Sequence, residues 1–152
     1  RLKGTELTDN INAAGITKPN NLLFKTIIFG EPCSKANSRK LVPNKKTGRI
    51  FSIKSDAGRK YVDSFLLQIN NKRKIFGLCS GIPKKPIDCK VILFCVIYYA
   101  TERKDLDESL VMDCLEKSGI IKNDRLIRQK HVYHFIDKFN PRSEIELFER
   151  VV

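Results

Sequence analysis

Hydrophobic positions recur along this chain with two different periods, and the changes of period divide it into elements. Leu23 to Phe29 (LFKTIIF) is an apolar run of strand length, closed by the turn Gly30-Glu31-Pro32. Cys33 to Ser55 has little apolar periodicity. Within it, Arg49 to Ile53 predicts a short strand after the Thr47-Gly48 turn. Ser55 has the chemistry of a helix N-cap, with Asp56 in the first turn. Tyr61, Val62, Phe65, Leu66 and Ile69 then fall three and four apart, so the predicted helix has one apolar face. Lys72-Arg73-Lys74 at its far end suits the negative end of the helix dipole. Gly77 to Pro86 is a connection.

Cys89 to Ala100 (CKVILFCVIYYA) is apolar at nearly every position from Val91 onward, the pattern of a central strand covered on both faces. Asp107 to Ser118 reads as a helix whose inward stripe is Leu106, Leu110, Cys114 and Leu115, with Gly119 just past its end. Gln129 to Ile136 and Ser143 to Phe148 read as strands joined through Asn140-Pro141. This order predicts an α/β fold, a single domain with a mixed β-sheet and two main helices. Residues 1–22 are polar and weakly periodic, with Gly4, Gly15 and Pro19, and read as an N-terminal arm to a domain over 23–152.

Composition changes this picture through charge. The 152 residues have an ordinary hydrophobic fraction of 41%, enough for a real core. The formal net charge of +12 is not ordinary and favours a polyanionic partner, nucleic acid or an anionic membrane surface. The longest apolar run is strand-sized, so no membrane partner is expected, and no charged-then-apolar leader opens the chain. Between Lys35 and Lys60, nine Lys and Arg residues stand against Asp56 alone. A charge run is usually just a solvated surface. This one concentrates a single sign in one stretch, and Lys35, Arg39, Lys40, Lys45 and Lys46 are expected to track phosphates. Five cysteines form no CxxC and no metal-ligand spacing. Cys95 and Cys114 sit in apolar patterns as core residues, and the odd count predicts a reducing compartment.

Against this basic background, three carboxylates gather where the central strand ends. Asp105 and Asp107 follow the strand directly, in Lys104-Asp105-Leu106-Asp107, and Asp124 comes after the next helix. An Asp-x-Asp pair faces one way only on extended backbone, where side chains repeat every two residues. Carboxylates so grouped call for a hard cation, and Mg²⁺ is the usual one in phosphate chemistry. The plainer readings are that Asp107 caps the helix, Asp105 is solvated and Asp124 is a surface turn residue. Asp113 lies off the apolar stripe, facing solvent or paired with Lys117. His131 and His134, on one strand, point to opposite faces and are poor co-ligands.

The segment from Asp105 to Asp124 (DLDESLVMDCLEKSGIIKND) resembles the core motif of RusA-type Holliday-junction resolvases. There an Asp-Leu-Asp-Asn opens a helix, an Asp-Ala-Leu lies within it, and a Gly leads to an Asp-Asp. Gly30 to Arg39 (GEPCSKANSR) is similar to the family's early Gly-x-Pro-x-Ser-x-Asn loop. The resemblance implies that Asp105, Asp107 and Asp124 bind Mg²⁺, which Mn²⁺ can replace. It also implies a homodimer acting on branched DNA, with the loop carrying Lys35, Asn37 and Arg39 along a DNA arm. The chain departs from the pattern at Glu108, where the family has Asn, and at Asn123, where it has Asp. The stretch from Asp107 to Asp113 is about two residues shorter than in the family. The family's lysine in the first turns of this helix has no counterpart: Ser109 to Met112 stand there. Lys104 is the expected catalytic substitute, with Arg103 or Lys122 as other sources of the charge.

Sequence alone thus predicts a metal-dependent endodeoxyribonuclease that resolves four-way junctions by paired nicks in recombination and repair. Its expected setting is the cytoplasm, with bacterial or phage DNA. The rivals are a nuclease for flaps or single strands, and a branched-DNA or RNA-binding module with little or no cleavage.

Overall fold

The apolar run predicted as a central strand is the axis of the fold. The structure, a computed structural model, describes residues 17–151. β4 (Val91–Tyr99) is buried at seven of its nine positions. It pairs in parallel with β5 (Ile127–Ile136) on one side and antiparallel with β6 (Arg142–Glu149) on the other. β6 in turn pairs antiparallel with β1 (Leu22–Phe29), giving the order β1-β6-β4-β5. The sheet is therefore mixed, as the element order predicts.

Two helices cover one face. α1 (Asp56–Phe76) is capped by Ser55, whose Oγ accepts the Gly58 N–H, and it buries Tyr61, Val62, Phe65 and Ile69. α2 (Ser109–Lys117) buries Leu110, Val111, Cys114 and Leu115 and carries the chain back from the end of β4 to the start of β5. Their apolar faces meet Val91, Leu93, Cys95, Ile97 and Tyr99 of β4 and Ile145 and Leu147 of β6 in one core. Burial pushes the Cys95 and Cys114 thiols up to about 12, so both are inert core groups.

No helix among the described residues covers the other face, although the unbroken apolar pattern of β4 predicts cover on both. The sheet's own side chains close it. Phe94 stacks on His131 with ring centres 4.5 Å apart and meets Phe148 edge-on at 5.4 Å. Tyr98 stacks on Phe135 and carries the Arg142 guanidinium 3.8 Å from its ring centre. His134 lies on the opposite face, stacked on Tyr99, so the two histidines do diverge.

The basic segment is more ordered than its sequence implies. β2 (Arg39–Pro43) pairs antiparallel with β3 (Ile50–Lys54) in a two-stranded ribbon separate from the main sheet. The short strand near Arg49–Ile53 is present, but its partner was hidden. Backbone pairing needs no apolar periodicity, and Arg39-Lys-Leu-Val-Pro43 has none. Most of the predicted N-terminal arm lies outside the described residues. Its last part runs along the sheet, where Lys18 Nζ is 2.5 Å from Glu146 Oε1 and Asn21 Nδ2 donates to the Glu149 carbonyl. No helix among the described residues is long and apolar enough to cross a membrane.

Candidate active site

The site is built at the carboxyl end of β4, a place where open α/β sheets commonly bind ligands. The strand stops at Ala100, whose N–H donates to Glu31 Oε2 at 2.8 Å instead of to a neighbouring strand. Glu31 belongs to the turn after β1, so this bond draws the Gly30–Ser38 loop over the strand end. Lys104 Nζ lies 3.7 Å from the other Glu31 oxygen.

The chain then turns around the Tyr99 hydroxyl. Tyr99 Oη donates to the Asp105 carbonyl at 3.1 Å and accepts the Asp107 N–H at 3.3 Å, which brackets the Asp-Leu-Asp segment from below. His134 Nε2 is 3.1 Å from the Lys104 carbonyl; a carbonyl only accepts, so that nitrogen carries the hydrogen. Asp107 stands outside α2, and its carboxylate accepts the N–H of the helix's first residue, Ser109. The helix starts two residues later than the pattern predicts, at Ser109, after Glu108 as N-cap.

Asp107 is the hinge between the two segments. Its Oδ2 accepts the Lys35 N–H at 2.6 Å, and its Oδ1 accepts the Ser109 N–H at 2.9 Å. Partial burial works to raise its pKa. The hydrogen bonds from Lys35 and Ser109, and the Lys35 charge, outweigh that and hold the carboxyl below its ordinary value. Asp107 is therefore an ionised carboxylate at neutral pH. Beside it is a cleft of about 170 Å³, lined by Cys33, Ser34, Asn37, Tyr99, Lys104 and Asp105 among others.

Asp105, Asp107, Lys104, Lys35 and Asn37 thus come together at one end of β4. Asp124 does not join them. It opens a short 3₁₀ turn whose cap is Asn123, and its N–H donates to Glu116 Oε2 at 3.1 Å. That turn leads into β5, whose first residue is level with Val91, the first residue of β4, because the strands run parallel. Within one chain, the nine-residue helix α2, roughly 14 Å long, stands between Asp107 and Asp124. Asp113 and Lys117 are both exposed on α2, off its buried stripe. Arg39, Lys40, Lys45 and Lys46 lie on the ribbon. At the ribbon's foot Lys54 sits beside Lys117. That second ammonium, with burial, lowers the Lys54 pKa.

Glu31 and Tyr99 are the participants that sequence reasoning missed. Glu31 carried a signal, a carboxylate inside the Gly-x-Pro loop, but its contact with Ala100 depends on tertiary placement. Tyr99 is indistinguishable by pattern from its neighbours in an apolar strand.

Neither a protein-family model nor a curated protein matches the chain. The resemblance to RusA-type resolvases therefore rests on the sequence, in two short motifs separated by 66 positions from Arg39 to Asp105.

The donor chemistry of the strand end suits Mg²⁺. No group of three or more His, Cys, Asp or Glu among the described residues could hold a metal. Mg²⁺ does not need one: it is commonly held by one or two carboxylates, with waters and substrate phosphates completing the shell. Asp105 and Asp107 supply hard oxygen donors beside a cleft that also contains cations.

Proposed function

We propose that this chain is a Mg²⁺-dependent, structure-specific endodeoxyribonuclease that nicks four-way DNA junctions. The observation that carries the reading is the bond from the Lys35 N–H to Asp107 Oδ2. It joins the two segments that resemble the resolvase family, 72 residues apart, around one cleft. Helix capping alone would have no use for the Lys35 contact, because the Ser109 N–H already occupies the other oxygen.

In this reading Asp105 and Asp107 hold the metal, and Mn²⁺ can replace Mg²⁺. Bound there, the metal supplies Lewis-acid polarisation of the phosphate and a more acidic water. The chain's own residues do the rest. The Lys35 and Ser109 N–H groups keep Asp107 ionised and fixed, and Tyr99 sets the height of the Asp-Leu-Asp segment. Lys104 and Lys35 place positive charge where the phosphorane becomes more negative, taking the role of the absent helix lysine. Asn37 lines the cleft and can donate to a phosphate oxygen. The ribbon cations Arg39, Lys40, Lys45 and Lys46 hold the backbone of a DNA arm. Hydrolysis then forms one bond from water oxygen to phosphorus and breaks one ester bond, and the leaving oxygen takes a proton. The setting is a reducing, DNA-containing compartment, and the working unit is a homodimer that makes paired nicks.

A second reading is a junction-binding module without cleavage. It is favoured by Ser109–Met112, where the family's lysine is missing, and by the remote position of Asp124.

The test is cleavage of a synthetic four-way junction beside a linear duplex of the same sequence, in Mg²⁺ or Mn²⁺, with Asp107→Asn as control. The expected result is junction-only nicking that falls about a hundredfold or more in the variant. Tight junction binding with no nicking in either metal establishes the binding module and sinks the nuclease.

A further inference from the structure

The β2–β3 ribbon has a second property that phosphate tracking does not require. Its charges lie in two bands. Arg39, Lys40 and Lys54 are at the foot, and Lys45, Lys46 and Arg49 are at the turn. Between the bands is an apolar waist. In antiparallel pairs the residues directly opposite share a face, so Leu41, Pro43 and Ile50 lie on one side of the ribbon and Val42 and Phe51 on the other. Leu41 is 73% exposed, Ile50 70% and Phe51 46%. An isolated two-stranded ribbon with bare apolar groups on both faces is marginal in water, so these side chains are suited to a partner. Among the described residues the ribbon is fixed to the body at its foot, where the Ser55 N–H donates to the Ser38 carbonyl, Ser55 Oγ donates to the Asn37 carbonyl and Lys40 pairs with Asp56.

Charge decides the class of partner. From Arg39 to Lys54 every ionisable residue is cationic, so a second copy of this ribbon would be repelled. Dimensions agree with DNA. Lys40 and the residue opposite Arg49 are four positions apart, roughly 13 Å along a strand. The major groove is about 12 Å wide and admits a two-stranded ribbon. Cation bands at that spacing reach both phosphate walls while the waist faces the bases.

We propose that the ribbon is a branch-reading arm: Phe51, Leu41 and Ile50 pack against bases unstacked at a DNA branch point, while the flanking cations hold the phosphates. This rests on the proposed action on branched DNA and adds the contact that tells a branch from a linear duplex. Linear DNA keeps its bases stacked and offers the waist only groove edges. A branch exposes base faces, against which apolar side chains can wedge.

The test uses four-way junctions with 2-aminopurine beside the branch, in EDTA so that nothing is cut, with a linear duplex of the same sequence and anionic phospholipid vesicles as controls. Wild-type protein is expected to raise the 2-aminopurine emission on binding. Phe51→Ser, and separately Leu41→Ser with Ile50→Ser on the other face, should abolish that rise and weaken junction binding about tenfold. Binding to linear duplex and the salt dependence should not change, whereas Lys45→Ala with Lys46→Ala should flatten the salt slope. All these side chains are exposed, and unchanged melting temperatures confirm folding. Junction binding without an emission change, or Ser variants that keep it, overturns the branch-reading arm and leaves the nuclease reading standing. Loss of vesicle binding alone in the Ser variants also overturns it, in favour of a membrane surface. Failure to bind any DNA overturns both.

Discussion

Asp107 shows how much one side chain can organise. Each of its oxygens takes a backbone N–H, one from the loop after β1 and one from the first turn of α2. Both bonds strengthen when the acceptor is charged. Its pKa is accordingly lower in the folded protein than in the unfolded chain, despite the opposing effect of burial. The linked stability is present at every pH above the unfolded value of about 3.9 and is lost as pH falls through the lower folded value. Asp107→Asn keeps one acceptor oxygen and removes the charge. The urea midpoint of the variant should therefore lie below that of the wild type at pH 6, and the gap should close at a pH below the unfolded value, as the carboxyl protonates in the folded protein. A gap that stays constant down to that pH would mean that the Lys35 and Ser109 contacts do not depend on the charge.

At the scale of elements, Gly58 shows how tightly the ribbon is joined to α1. Glycine inside a helix usually costs about 1 kcal/mol relative to alanine, so Gly58→Ala should be stabilising by propensity alone. A Cβ at Gly58, however, would meet the Ser38 carbonyl oxygen at 2.8 Å and the Ser38 Cα at 3.3 Å. The obstacle is backbone, held in place by the Ser55 N–H, and it cannot swing aside as a side chain would. Overpacking of this kind costs typically 1–3 kcal/mol and wins. Gly58→Ala should lower stability in chemical denaturation by about that amount and weaken DNA binding, because the ribbon's foot must shift. A more stable variant with unchanged binding would show that the joint is loose.

The same elements show what the sequence made legible. α1 and β4 were visible because burial imposes a period on side chains, and Tyr61, Phe65 and Ile69 display it. β2 was invisible because it buries almost nothing, and the α2 start was misplaced because the Asp107 carboxylate takes the Ser109 N–H from outside the helix. The site was half legible. The Asp-x-Asp at a strand end has a local signature, while Glu31 against Ala100 and Lys35 against Asp107 are tertiary contacts with none. The distance from Asp124 to the pair follows from the parallel register of β4 and β5, which an apolar pattern does not report.

For the whole molecule, that distance decides what a dimer must do. A crossover that starts at one end of β4 and returns to the other leaves Asp107 and Asp124 at opposite ends of α2 within a single chain. If Asp124 serves the reaction, it comes from the second subunit of a homodimer. Two-fold symmetry then builds two equal sites, each with Asp105 and Asp107 of one subunit and Asp124 of the other. Such a dimer is separable from a single-chain site by mixing inactive subunits. Asp107→Asn and Asp124→Asn homodimers each have both sites damaged and should be silent. In a mixed dimer, one composite site combines both damaged residues. The other combines the intact Asp107 of one subunit with the intact Asp124 of its partner. After the two variants are unfolded and refolded together, nicking of one strand per junction should return, without paired cuts. Continued silence of the mixture, in a dimer shown to have exchanged subunits, would exclude the composite site. Full activity of the Asp124→Asn homodimer would show instead that Asp105 and Asp107 suffice, in keeping with a Mg²⁺ ion held by two carboxylates and the substrate phosphate.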